Sequence, residues 1–163
     1  AGLPHLKAAS PDAGSKTVAE LRELCGYAQM PMILKGIMTV RGAEKAVEAG
    51  AAAIVVSNHG GRVLPRSAAT ADVLPEIADA VGDRVKILVD GGIRSGTDIF
   101  RALALGADAV MICRPFLISY YGGGTEGIVA YVEKLRAELT DAMYMCGARS
   151  LGDITRDMVR EVR

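Results

Sequence analysis

Ala53-Ile54-Val55-Val56-Ser57-Asn58-His59-Gly60-Gly61-Arg62 is the stretch on which the reading of this chain turns. Its first four residues form an unbroken apolar run. A strand without polar alternation belongs to a parallel sheet covered by helices. The next six place an imidazole, a guanidinium and two glycines on the loop that leaves the strand. Two more loops of this kind follow. Val85-Lys86-Ile87-Leu88-Val89 leads into Asp90-Gly91-Gly92-Ile93-Arg94-Ser95-Gly96, and Ala109-Val110-Met111-Ile112 leads into Cys113-Arg114-Pro115. Polar groups gathered at the ends of successive parallel strands let a base, an anion-binding arginine and backbone N–H groups meet on one face.

Outward from these loops the pattern is helix, then strand–helix four times. Val18, Leu21, Leu24 and Cys25 recur at helical spacing and predict a helix over about 17–28, capped by Ser15 or Thr17. Pro31 opens a strand, Met32 to Leu34, with Lys35 at its end. A helix follows from about Ala43 to Glu48 and stops at Gly50. Thr70 starts another through Leu74, Ile77 and Val81, ended by Gly82. A helix over about 97–105 ends at Gly106. The last one, about 125–146, carries Ile128, Val132, Leu135, Leu139 and Met143 on one stripe. A loose internal repeat runs through this order. Ile33-Leu34-Lys35-Gly36-Ile37, an Ala-rich helix and Gly50-Ala51 return as Leu88-Val89-Asp90-Gly91-Gly92-Ile93, a helix and Gly106-Ala107. Repeated βα units build a (β/α)8 barrel. Four strands are half of one, and a closed barrel takes at least about 200 residues.

The composition narrows the class. The chain has 163 residues, half of them hydrophobic, with 19 basic residues balanced by 19 acidic ones. That length suits one domain with a real core. The absence of net charge weighs against nucleic acid or an anionic membrane as partner. Cys25, Cys113 and Cys146 are odd in number and widely spaced, with neither a CxxC pattern nor disulfide density, which points to a reducing cytoplasm and to no metal site. No apolar run approaches the roughly 20 residues that cross a bilayer. The first fifteen residues read as loop, and His5 among them as a solvated side chain.

Lys35-Gly36, Ser57-Asn58-His59-Gly60-Gly61-Arg62, Asp90-Gly91-Gly92-Ile93-Arg94-Ser95-Gly96 and Arg114-Pro115-Phe116, in that order, resemble the FMN-dependent α-hydroxy-acid oxidases and dehydrogenases, among them glycolate and lactate oxidases. The likeness runs from about Met32 to Asp153 and corresponds to the C-terminal half of a family member. It implies an α/β fold equivalent to barrel strands 5 to 8, in a single domain over 1–163. It also implies FMN as cofactor, and oxidation of a small L-2-hydroxy acid, lactate- or glycolate-like, to the 2-oxo acid.

Roles follow from the resemblance position by position. Lys35 is expected against the N1/O2 edge of the flavin, and Ser57 in a hydrogen bond to it. His59 is expected as the base that removes a substrate proton, and Arg62 as the clamp on the substrate carboxylate, with His59 beside it. Asp90, Gly91, Gly92, Arg94, Cys113 and Arg114 map onto the ribityl-phosphate site. Cys113 stands where the family usually carries Gly, and Pro65 where it usually carries Asp. The carboxylate that orients the histidine, and substrate-contacting tyrosines, come from the other half. An isolated half is therefore expected to turn over little. Its partner is either that N-terminal half-barrel or a second copy, since the inward side chains of Met32–Leu34, Ala53–Val56, Ile87–Val89 and Ala109–Ile112 lack a covering layer. The alternatives are a non-catalytic half-barrel that binds FMN or phosphate and self-associates, and another flavin barrel enzyme such as an isomerase.

Overall fold

Four parallel strands in consecutive order, each followed by a helix, form the frame of the molecule. The computed structural model describes residues 14–160, so His5 and most of the N-terminal loop reading lie outside the described residues. The strands are β1 (Ile33–Ile37), β2 (Ala53–Val56), β3 (Lys86–Asp90) and β4 (Ala109–Met111). The helices are α1 (Val18–Tyr27), α2 (Val40–Glu48), α3 (Thr70–Val81), α4 (Gly96–Ala104) and α5 (Arg114–Cys146).

Side chains alternate across the sheet, so each strand has a helix side and an inner side. On the helix side Ile54, Val56, Ile87 and Val89 pack with Ala43, Ala46, Leu74, Ile77 and Val81 into one core. Burying each of the larger side chains contributes about 1.5–3 kcal/mol. Ile33, Lys35, Val55, Leu88, Asp90 and Met111 have the opposite parity and line the inner side. The expected uncovered inner face is present on β1, β3 and β4 and absent on β2: Leu88 and Asp90 on β3 are half-buried. Ile33 on β1 is 49% exposed and Met111 on β4 is 41% exposed, whereas every residue of β2 is buried. Asp108, just before β4, ties it to β3 by accepting from the Ile87 N–H (2.8 Å) and pairing with Lys86 (2.6 Å). Burial disfavours its charge, but those two donors outweigh it and hold the carboxyl below its ordinary range.

The internal repeat is present in the backbone itself. Gly36 and Gly91 occupy equivalent places with φ of 97° and 93°, and Gly50 and Gly106 with 85° and 105°. α2 and α4 also end alike, with Ala51 N–H donating to Ala46 C=O and Ala107 N–H to Ala102 C=O. Left-handed conformations of this kind are cheap only for glycine.

Several boundaries differ from the periodicity reading. β1 runs on to Ile37, which puts Lys35 inside the strand, with an irregularity between Lys35 and Ile37. Asp90 likewise ends β3 instead of opening the loop. α2 begins three residues early because Thr39 caps it through the Gly42 N–H. Thr17, not Ser15, caps α1 in a reciprocal pair with Glu20. The largest difference is α5, which starts at Arg114 and breaks at Gly123 and Gly124 before continuing. Of its expected stripe, Leu135 is buried, and Val132 faces outward at 42% exposure.

Candidate active site

Lys35 and Asp90, the matching residues of the two repeats, meet on the inner side: Lys35 Nζ lies 2.8 Å from Asp90 Oδ2. The same ammonium donates to Ser57 Oγ at 2.7 Å. Ser57 is 1% exposed, and its oxygen also accepts from the His59 N–H at 3.2 Å. One buried hydroxyl thus joins the strand cation to the backbone of the histidine. Thr70 Oγ1 donates to the Asp90 carbonyl at 2.8 Å, which fixes the end of β3 from the first turn of α3.

His59 sits at φ 54°, a left-handed conformation uncommon outside glycine, and opens a short 3-10 turn to Gly61 that Asn58 caps. Its ring lies against Gly36: a Cβ there would come within 2.8 Å of His59 Cε1. The glycine after Lys35 therefore makes room for the imidazole. No described side chain hydrogen-bonds that ring, so nothing within the described residues selects its tautomer.

A cleft of about 350 Å³ opens at this end of the sheet. Lys35, His59 and Arg62 line one side, and Asp90, Gly91, Gly92 and Arg94 the next. Cys113 and Arg114 complete it from the start of α5. Every residue to which the resemblance gives a site role lies in this wall except Ser57, which is buried beneath it. Gly60 lies between two guanidiniums, since a Cβ on it would stand 3.7 Å from both Arg62 Nε and Arg114 Nη2. Arg62, Arg94 and Arg114 form no ion pair among the described residues. Three uncompensated arginines around one cleft favour an anion. No cluster of metal-binding side chains occurs among the described residues.

Asp90 Oδ1 is buried without a hydrogen-bond partner. A buried carboxylate oxygen left unpaired costs at least about 1–3 kcal/mol, so a hydroxyl donor presented by a ligand would relieve it. Gly92, at φ 82°, has open space on its Cβ side. The donor set therefore fits a group bearing both hydroxyls and a phosphate.

Sequence reading did not assign roles to Thr70, Tyr131 or Glu138. Thr70 was legible only as a helix start. Tyr131 and Glu138 lie on α5, far along the chain, with no local signal.

The profile of the FMN-dependent dehydrogenase family matches residues 6–161. This chain belongs to that family, whose cofactor is FMN. It is 49% identical over 140 residues to a peroxisomal (S)-2-hydroxy-acid oxidase of Oryza sativa subsp. japonica, covering 86% of this chain and 38% of that protein. It is 42% identical to an L-lactate oxidase of Lactobacillus jensenii, over 91% of this chain and 36% of the relative. A mutant of mandelate oxidase, solved with (S)-mandelic acid, superposes with a TM-score of 0.83 at 41% identity, over 88% of this chain and 43% of that one. The chain thus spans about two-fifths of the length of these relatives, and its four-stranded sheet is half of their barrel. No described helix is long and apolar enough to cross a membrane.

Proposed function

We propose that this chain supplies the base, the carboxylate clamp and the phosphate cradle for FMN-dependent oxidation of a small L-2-hydroxy acid, of the lactate or glycolate kind, to its 2-oxo acid. The observation that carries this is the single cleft shared by His59, Arg62, Asp90, Arg94 and Arg114. Arg94, Arg114 and the backbone of Gly91 and Gly92 would hold the phosphate end of FMN. Asp90 Oδ1 would accept from a ribityl hydroxyl, and the Lys35 ammonium would lie at the ring. FMN, when bound, supplies the acceptor for the two electrons the substrate loses. Arg62 fixes the substrate by its carboxylate, which a planar guanidinium grips through both oxygens. His59 then takes a substrate proton, a task suited to an imidazole near neutral pH. Ser57 holds the His59 backbone and Lys35 together through one oxygen, which keeps the base and the cation in fixed relation.

The imidazole has no described orienting partner, and loss of such a partner costs orders of magnitude in Ser-His-Asp enzymes. The chain by itself is therefore expected to turn over little. Its inner side would be completed by an N-terminal half-barrel. A second reading is a non-catalytic half-barrel that binds FMN or phosphate and closes on a second copy. The exposed Ile33 and Met111 at opposite sheet edges favour it. The three free cysteines suit a reducing compartment, for which we keep the cytoplasm.

The test is an FMN titration followed by flavin fluorescence, then anaerobic addition of L-lactate or glycolate with and without a complementing N-terminal half. FMN binding, with substrate bleaching the flavin only when the halves are combined, is the expected result. His59→Ala should keep the affinity and abolish the bleaching. Bleaching at the parent rate in His59→Ala would remove the base assignment, and failure to bind FMN at all would overturn the function.

A further inference from the structure

Arg94 and Arg114 sit on different turns, yet one side chain touches the structure beneath both. The break at Gly123 and Gly124 reverses α5, and the second stretch packs back on the first so closely that a Cβ on Gly127 would collide with the Ser119 carbonyl. The Tyr131 ring thereby comes edge-on against Phe116, with centroids 5.3 Å apart and planes at 85°. Phe116 is two residues beyond Arg114. The Tyr131 hydroxyl, at the other end of the ring, donates to the Arg94 carbonyl at 3.0 Å.

The Arg94 turn is otherwise held by acceptors. Asp98 Oδ2 accepts from the N–H of Arg94 (3.1 Å) and of Ser95 (3.0 Å), and Glu138 accepts from the Gly96 N–H (2.8 Å). The carbonyl of Arg94 is the remaining handle of that turn, and Tyr131 takes it. Burial raises the phenol above its ordinary range, outweighing Lys134 and Arg94 nearby, while Glu138 and Asp98 push the same way. The hydroxyl thus stays protonated and donates throughout the neutral range.

We propose that Tyr131 is a positioning residue: it ties the Arg94 turn to the Arg114 turn and so sets the spacing at which the two guanidiniums receive one phosphate. This rests on the FMN reading of the cleft. It involves no contact between Tyr131 and the cofactor.

Tyr131→Phe tests it, because it keeps the ring on Phe116 and removes only the hydroxyl. FMN and, separately, inorganic phosphate should bind about two- to tenfold more weakly, as expected for one lost hydrogen bond. In an Arg94→Ala background the same substitution should add nothing, since the guanidinium that Tyr131 positions is gone. Hydrogen exchange of the Ser95 and Gly96 amides should quicken in Tyr131→Phe with the thermal midpoint nearly unchanged. Equal affinities, or an equal loss with and without Arg94, would overturn the proposal. If even the parent chain fails to bind FMN, the function reading falls, and unchanged exchange at Ser95 and Gly96 would then dispose of the tie as well.

Discussion

The N-termini of α4 and α5 are both aimed at the cleft end of the sheet, yet they are finished in opposite ways. At α4 the N–H groups of Arg94, Ser95 and Gly96 are taken by carboxylates, and that of Asp98 by the Ser95 hydroxyl. Ser95 and Asp98 cap each other, Asp98 also holds Arg94 and Ser95, and Glu138 holds Gly96. At α5 the capping position is Cys113, which makes no side-chain cap hydrogen bond, and Pro115 follows in the first turn. The charges beside it are the guanidiniums of Arg62 and Arg114. A helix N-terminus attracts anions through unpaired N–H groups and its dipole. The contrast shows that this attraction is usable only where the protein has not already satisfied it. At α4 the donors are spent on Asp98 of the helix itself and on Glu138 of α5, which hold the turn, and α5 keeps its positive end open to the cleft.

The sharpest way to break this contrast is Arg114→Ala. It should weaken FMN and phosphate binding by about 10- to 150-fold, the loss of one charge-assisted hydrogen-bonded contact. Isothermal titration against both ligands measures it, and an unchanged affinity would mean that the open end of α5 is not the anion site.

Gly96→Ala probes the closed end. A Cβ there would run into the Leu139 amide and the Leu135 carbonyl of α5, which are backbone and cannot swing away. The expected cost is about 1–3 kcal/mol of stability, as for overpacked cores, read as a lower denaturant midpoint. A midpoint equal to the parent's would show that α4 and α5 are not locked together at this point.

Glu138→Gln should act on stability and leave the ligand alone. Its carboxylate holds the Gly96 N–H and pairs with Lys134 at 2.6 Å. A small fall in thermal midpoint with unchanged phosphate affinity is the expected outcome. A marked gain in phosphate affinity would show that the α4 N-terminus is an anion site blocked by a carboxylate of α5.

The smallest effect is in pH. The hydrogen bond from Lys134, followed by that from the Gly96 N–H, holds the Glu138 carboxyl below its ordinary range. The folded state therefore binds this proton more weakly than the unfolded chain. Its contribution is complete above the unfolded value of about 4.3 and is lost as pH falls through the lower folded value. Urea unfolding across that acid range should show a shallower decline for Glu138→Gln than for the parent; parallel declines would remove the assignment.

How much of this was legible beforehand depends on the distance over which the cause acts. Strands without alternation, helices at 3.6-residue spacing, glycine stops and the order of loops are local signals, and they place the four βα units and most of the cleft wall. The repeat was legible because Gly36 and Gly91 answer the same backbone demand at positive φ. Helix starts were less so. Arg114-Pro115 reads as a loop because the glycines at 122–124 interrupt the apolar stripe, although proline is well suited to a first helical turn.

The sequence by itself thus determined the class of fold, the family and which residues crowd the strand ends, since those depend on pattern and turn chemistry within a few residues. Only the tertiary structure decided who meets whom. Lys35 pairs with Asp90 because the parallel register sets both on the inner side. Ser57 is buried under the histidine it holds because β1 and β2 lie side by side. Tyr131 and Glu138 reach the Arg94 turn from α5 because two glycines let that helix double back. Such pairings join residues tens of positions apart, and they are set by strand register and helix packing, for which no stretch of sequence carries a local sign.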